Sequence, residues 1–262
     1  MNDLDQTTSL LFKAIAERLA APGGAEALMG NNYHLADWLR GPFRLEHNPD
    51  ALCIFKSYPE AADLFARFVK GVEYNNLGDL TRFYALIQNI SNLNTRKIVG
   101  DFAELGVYKG SSAAVLAHYA AQQNRQLFLF DTFSGFDYRD MTGIDGHRQT
   151  LFSDANLANV KQQVGHEDIC HYCVGFFPDS IPADVHDRQF AFVSLDCDLY
   201  QPMKAGLEFF IPKMSPGGFI FAHDYSSGYW PGCKQAIDES VTAHNLSLVL
   251  LPDKSGTAIL VI

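Results

Sequence analysis

The chain has 262 residues, 47% of them hydrophobic, enough to bury one large α/β core with a smaller appendage. Lys+Arg number 20 against Asp+Glu 30, a formal charge of −10 with no basic run, which argues against a nucleic-acid groove or an anionic membrane surface as partner. The start Met1-Asn-Asp-Leu-Asp is acidic and no long uncharged apolar stretch follows, so neither signal peptide nor membrane-spanning helix is expected and a cytoplasmic location is the default.

The first third reads as helical. Leu10, Leu11, Ile15 and Leu19 form an apolar stripe that Thr8 or Ser9 caps and Pro22-Gly-Gly ends. After loop signals at Gly41-Pro42 and Asn48-Pro-Asp50, a second helix is predicted from Tyr58 to Val69, with Leu64, Phe65 and Phe68 on its apolar face. A third, Asp79 to Ile90, places Leu80, Phe83, Tyr84 and Ile87 at helical spacing. Aromatics so spaced read as core, with a lid over a substrate site as the lesser alternative. The boundary is drawn at 77/78: residues 1–77 are a helical extension serving as a lid or, through Phe43, Phe55, Phe65 and Phe68, as a surface for a homo-oligomer.

From Lys97 strand and helix alternate. Short apolar runs at Ile98 to Ala103, Gln126 to Phe130, Ile169 to Val174, Phe190 to Leu195 and Phe219 to Ala222 are separated by helical stretches near 111–123, 153–164, 202–214 and 232–243. That is a parallel sheet covered on both faces. Two β-rich runs, Leu246 to Leu251 and Thr257 to Ile262, then close as an antiparallel hairpin through Pro252-Asp-Lys-Ser-Gly256. Five parallel strands finished by an edge hairpin is the order of the class I S-adenosylmethionine (SAM)-dependent methyltransferases, a Rossmann-like doubly wound α/β sheet. Five cysteines, at 53, 170, 173, 197 and 233, fit reduced thiols. Cys170-His-Tyr-Cys173, with His166 nearby, has the gap of a zinc knuckle or redox pair, but no second Cys-x-x-Cys exists and the run reads as a buried strand.

In an open α/β sheet the ligand lies beyond the carboxyl ends of the strands. Those positions are Glu104, Asp131, Gly175, Asp196 and His223-Asp224. The turn Glu104-x-Gly106-x-x-x-Gly110 differs from the Gly-x-Gly-x-x-Gly of dinucleotide binders and suits SAM better than NAD. Its glycines let the backbone approach the methionine end, Glu104 orients bound groups, and Asp131 can accept hydrogen bonds from ribose hydroxyls or else cap its loop. The cofactor-binding candidates are Glu104, Gly106, Tyr108, Gly110 and Ser111 in the turn, Asp131, Thr132 and Phe133 after the second strand, and Asp196. Asp196, His223 and Asp224 converge as a ligand set for one divalent cation with positions open to substrate oxygens, or as a metal-free rim with a His-Asp hydrogen bond. The Asp196-Cys197-Asp198 run also looks like the Asp-x-Asp of metal-dependent glycosyltransferases.

Asp101-Phe-Ala-Glu-Leu-Gly-Val-Tyr-Lys-Gly-Ser111, Asp131-Thr-Phe-Ser-Gly-Phe136, Gly175-Phe-Phe-Pro-Asp-Ser-Ile-Pro182, Asp196-Cys-Asp-Leu-Tyr200 and Gly217-Gly-Phe-Ile-Phe-Ala-His-Asp-Tyr225 with Gly232-Cys-Lys-Gln-Ala-Ile-Asp238 together resemble the macrocin O-methyltransferase family, which includes the mycinamicin and novobiocin sugar methyltransferases. The resemblance runs from about residue 78 onward. It implies SAM-dependent, usually Mg²⁺-dependent methylation of a hydroxyl on a sugar or glycoside. It implies too that Asp196, His223 and Asp224 hold the metal, that Asp196 is a candidate general base, and that Gly175 and Phe176 lie beside the adenine. Where antibiotic-sugar members typically have Asp-Asp-Tyr, this chain has His223-Asp224-Tyr225. A histidine ligand favours Mn²⁺, Fe²⁺ or Zn²⁺ over Mg²⁺, and His223 is itself a candidate base. Phe136, Tyr229 and Trp230 are candidates for stacking on a sugar ring, or for local packing.

Overall fold

The computed structural model describes residues 57–149 and 151–262. The chain divides into two compact units, Met1–Pro59 and Glu60–Ile262. The helix expected through Leu10, Leu11, Ile15 and Leu19, together with Phe43, Cys53 and Phe55, lies outside the described residues.

In the second unit three helices precede the sheet: α1 (Ala61–Val69), α2 (Glu73–Asn76) and α3 (Leu80–Thr95). Leu64 and Phe68 of α1 and Phe83, Tyr84 and Ile87 of α3 are buried, so the aromatic stripes are core. The α3 N-terminus is fixed by Asp79, whose carboxylate accepts the Arg82 N–H at 3.3 Å and satisfies one of the amides that a helix leaves unpaired. Because α1 and α2 belong to this unit, the division by contacts falls at 59/60, ahead of the 77/78 boundary drawn from sequence pattern.

The sheet follows as β1 (Asp101–Leu105), α4 (Ser111–Gln122), β2 (Leu127–Asp131), α5 (Leu157–Val164), β3 (Cys170–Val174), β4 (Phe190–Leu195), α6 (Tyr200–Phe210), β5 (Met214–Ala222), α7 (Pro231–Ala243), β6 (Leu248–Leu250) and β7 (Ala258–Val261). Strand order is β3-β2-β1-β4-β5-β7-β6. β1 to β5 run parallel, and β7 is antiparallel to both β5 and β6. This is the doubly wound sheet with an edge hairpin that the alternating pattern predicts. Its centre is aromatic: Phe102, Phe128, Phe130, Phe190, Phe192 and Phe210 are fully buried. Outside the sheet, Arg67 of α1 donates to the Gln163 and Val164 carbonyls at 2.9 and 2.7 Å, closing the C-terminal end of α5.

Two strands differ from their apolar runs. β1 begins at Asp101 rather than Ile98, because the Ile98 and Gly100 carbonyls are taken by the Arg125 guanidinium instead of a ladder. β5 begins at Met214 rather than Phe219: Met214 pairs with Phe190, and the register then shifts across Ser215-Pro-Gly-Gly before Phe219 pairs with Phe192. Cys170 and Cys173 sit buried in β3 with thiol pKa values pushed up to about 12 by desolvation, as inert small hydrophobes. Among the described residues no helix is long and apolar enough to cross a membrane.

Candidate functional site

The ladders bring four strand ends to one level. Leu105 pairs with Phe130 and Leu195, and Leu195 with Ala222. The next residue of each strand is therefore Gly106, Asp131, Asp196 and His223. Backbone bonds continue the alignment past the strands: Gly106 N–H to Phe130 C=O at 3.0 Å, Asp196 N–H to Leu105 C=O at 2.9 Å, His223 N–H to Leu195 C=O at 2.9 Å. Register thus brings Asp131, Asp196 and His223 to the rim, whereas Glu104, expected to end its strand, lies inside β1 paired with Leu129 and Ser194, because the strand runs on to Leu105.

Gly106 is needed for that closeness. Its φ is +88°, and a Cβ there would lie 2.0 Å from the Asp196 carbonyl oxygen. Gly110, at φ +81°, starts α4 where a Cβ would meet Val164 and Val160 of α5 at 2.8 and 3.2 Å. Both glycines therefore have a packing reason, whatever ligand they admit. Asp131 pins the turn between them: Oδ2 accepts the Val107 and Tyr108 amides at 2.7 and 2.8 Å, and Oδ1 accepts the Phe133 amide at 2.7 Å. Three of its lone pairs are committed to backbone, and a ribose hydroxyl would use what remains. Replacing Asp131 with Ala should lower the melting temperature as well as SAM affinity, since three partly buried amides lose their acceptor at about 1 kcal/mol each. Asp131→Asn, which keeps one acceptor oxygen, should fall between. Thermal melts and calorimetric SAM titration of both variants check this; an unchanged melting temperature would discount the pinning role.

The other turn candidates are placed around it. The Tyr108 hydroxyl donates to Asp154 at 2.7 Å, and Thr132 Oγ1 donates to the Gly135 carbonyl at 2.6 Å. Phe133 is buried, and the Ser111 hydroxyl is buried without a partner. Gly175 follows β3 at φ +134°, and the neighbouring Phe176 ring carries the Arg139 guanidinium at 3.6 Å.

Glu104 lies beneath the turn, within β1, with 0% exposure. Neither carboxylate oxygen has a well-formed hydrogen bond, although the Ser112 and Ser194 side chains act on the group and partly ease its charge. Desolvation raises its pKa to about 8. Between about pH 4.5 and 8 the folded chain then holds a proton that the unfolded chain lacks, so this contribution to stability is present at low pH. It is lost as pH rises through the folded pKa, at up to about 1.4 kcal/mol per unit. Denaturant midpoints across this range should fall with pH more steeply in wild type than in Glu104→Gln; parallel profiles would reject the assignment.

Across the rim, Asp196, His223 and Asp224 offer ligand atoms within 4.8 Å of one another. His223 Nδ1 lies 2.9 Å from Asp196 Oδ1 and 3.1 Å from Asp224 Oδ2. The sequence pattern gave no place here to Arg82, yet its Nη2 reaches Asp196 Oδ2 at 2.6 Å and its Nη1 lies 3.2 Å from His223 Nε2. The usable signal was an opposite-charge pair, Asp79 and Arg82, three apart at a helix start beside an apolar stripe. Burial opposes the Asp196 charge, but Arg82 and His223 override it and hold the carboxyl well below the usual range. Burial and Arg82 lower the His223 pKa, and Asp196 and Asp224 outweigh them and raise it. Since guanidinium only donates, the Nη1 contact is a hydrogen bond when Nε2 bears the lone pair and Nδ1–H faces the carboxylates. Asp198 stands apart from both groups of side chains that could share a cation among the described residues. Burial, Asp224 and Asp196 push its carboxyl far above the ordinary range, unlike a charged Asp-x-Asp partner.

Beside the rim, Trp230 is 7% exposed and packs edge-on to Phe136 and Tyr229, with Arg148 over both the Tyr229 and Trp230 rings at 4.6 Å. Trp230 is local packing, whereas Tyr229, at 57% exposure, presents a face outward.

Residues 71–252 match the family model described as macrocin-O-methyltransferase (TylF). The chain is 28% identical over 160 residues to an 8-demethyl-8-(2,3-dimethoxy-alpha-L-rhamnosyl)-tetracenomycin-C 4'-O-methyltransferase of Streptomyces olivaceus, covering 54% of this chain and 58% of that protein. It is 26% identical over 175 residues to a demethyldecarbamoylnovobiocin O-methyltransferase of Streptomyces niveus, covering 61% and 65%. The matched region thus spans less than two thirds of either relative. The solved O-methyltransferase NovP superposes with a TM-score of 0.59 at 20% identity over 69% of this chain and 79% of that one, a likeness of fold. With more than half of its length matched by one family model, on the sheet order and rim already described, the chain belongs to the macrocin-O-methyltransferase family.

Proposed function

We propose that the protein transfers a methyl group from SAM to a hydroxyl of a sugar or glycosylated natural product, with a divalent cation at Asp196, His223 and Asp224. The observation that carries this reading is the alignment of Asp131, Asp196 and His223 along one sheet rim, with Glu104 buried just beneath it, in a member of this family. The residues suit both groups. The buried Glu104 carboxyl would match the positively charged amino group of SAM, and Asp131 would meet the ribose. The mixed oxygen and nitrogen donors of Asp196, His223 and Asp224 suit a divalent ion that accepts a nitrogen ligand, such as Mn²⁺, better than Mg²⁺.

When bound, SAM supplies an electrophilic methyl on a sulfonium, and the cation makes a coordinated hydroxyl more acidic. The chain's own contribution is orientation and proton acceptance. The Gly106 turn, pinned by Asp131, fixes the donor end of the rim; Asp196 and His223, joined at 2.9 Å, face the acceptor end as a unit that would receive the hydroxyl proton when His223 is neutral. Exposed Tyr229 is the candidate face for the acceptor ring.

The glycosyltransferase alternative accounts for neither the family match nor the isolated, proton-retaining Asp198. Calorimetric titration with SAM and with a nucleotide sugar, followed by mass spectrometry of hydroxylated acceptors, separates the readings. SAM binding with a gain of about one CH₂ per acceptor supports methyl transfer. Nucleotide-sugar binding alone, or neither ligand bound, would reject it.

A further inference from the structure

A cation already rests on the candidate metal ligands, and it belongs to the chain. Arg82 is 7% exposed, and its guanidinium spans Asp196 Oδ2 at 2.6 Å and His223 Nε2 at 3.2 Å. It remains charged at any physiological pH. With Asp196 and Asp224 negative and Arg82 positive, the cluster carries −2 + 1 = −1 when His223 is neutral and 0 when it is protonated; in either state, loss of Arg82 makes it one unit more negative. A divalent ion arriving at the triad therefore meets a charge of its own sign on Asp196.

A second set of carboxylates shares His223 with the triad. Asp79, His223 and Asp253 form another group whose ligand atoms fall within 4.8 Å, and both Asp79 and Asp253 act electrostatically on Arg82. Asp79 is 3% exposed at the start of the helix that carries Arg82. Asp253 is held by the β6–β7 loop, where it accepts the Thr257 amide at 2.7 Å. That loop is itself tied down: Tyr225 N–H donates to the Gly256 carbonyl at 2.8 Å, and Lys254 donates to the Tyr74 and Asn75 carbonyls at 2.7 and 2.6 Å. His223 stands between the two sets, as a member of both.

We infer that Arg82 is the resident counter-ion of the Asp196–His223–Asp224 triad and moves toward Asp79 and Asp253 when a divalent cation binds. Metal affinity is then set by exchange of one guanidinium between two carboxylate pairs. This makes Arg82 and Asp253 positioning residues for the ion, and it rests on the triad being the metal site.

Mn²⁺ titration of the full-length protein, with free ion followed by electron paramagnetic resonance, tests it without reference to turnover. Arg82→Gln should bind Mn²⁺ about tenfold more tightly than wild type, because the competing charge is gone. Asp253→Asn, which weakens the alternative berth at constant shape, should bind it several-fold more weakly, and Arg82→Lys should stay near wild type. A merely structural role for Arg82 does not produce a gain in affinity. If wild type binds Mn²⁺ and Asp196→Asn loses it, but Arg82→Gln binds equally or more weakly, the exchange is wrong and the metal site stands. If neither wild type nor Arg82→Gln binds Mn²⁺ at millimolar concentration, the triad is not a metal site and the inference falls with it.

Discussion

Asp196→Asn should cut methyl transfer by about 10²- to 10⁴-fold while leaving SAM affinity within a few-fold of wild type, the range expected for loss of a positioned proton acceptor. The side chain meets Arg82 and His223, on the part of the rim proposed for the acceptor, whereas Asp131 and Glu104 belong to the part proposed for the donor. Asparagine keeps the shape but discards the charge on which both partners depend. Arg82 is then left buried beside a neutral amide, and breaking a buried pair costs about 3–5 kcal/mol, so melting should be followed in parallel. Calorimetry with SAM and product mass spectrometry separate the two effects. A variant that retains both its fold and more than about a tenth of the wild-type rate would remove Asp196 from the chemistry.

Gly106→Ala should destabilise the chain by about 2–4 kcal/mol and weaken SAM binding together with it. The added methyl would sit 2.0 Å from the Asp196 carbonyl oxygen, a backbone atom that cannot rotate away, at a φ of +88° that alanine disfavours. Relief requires β1 and β4 to part at the rim, where the donor and acceptor halves of the site meet. Gly228→Ala, where nothing lies within 4 Å of the added Cβ, is the control and should be near neutral. Urea midpoints of the two variants decide the matter: equal midpoints would mean that the close approach contributes nothing.

The sheet was legible in the sequence because its signal is local. Apolar runs such as Phe190 to Leu195, and the turn residues between them, mark each strand wherever it ends up. Asp131, Asp196 and His223-Asp224 were legible for the same reason, while Glu104, read as the end of its run, is a residue within β1. What escaped was whatever depends on a distant partner. Arg82 bonds His223 across 141 residues and Asp196 across 114, and no window of sequence holds both ends. The start of β1 depends on Arg125 capturing two carbonyls, and the length of β5 on a register shift at Ser215-Pro-Gly-Gly. At Gly106 the residue type was read as ligand access, while the structure supplies a neighbouring strand as the reason.

The charged cluster draws on α3, the end of β4, the end of β5 and the β6–β7 loop, segments that meet only through the completed sheet. During synthesis Arg82 emerges long before its partners, so this cluster cannot pre-form on an amino-terminal fragment. Its assembly has to await slow, non-local strand pairing. Cofactor or metal protection against proteolysis should accordingly appear all at once on refolding, as a late cooperative event rather than in stages.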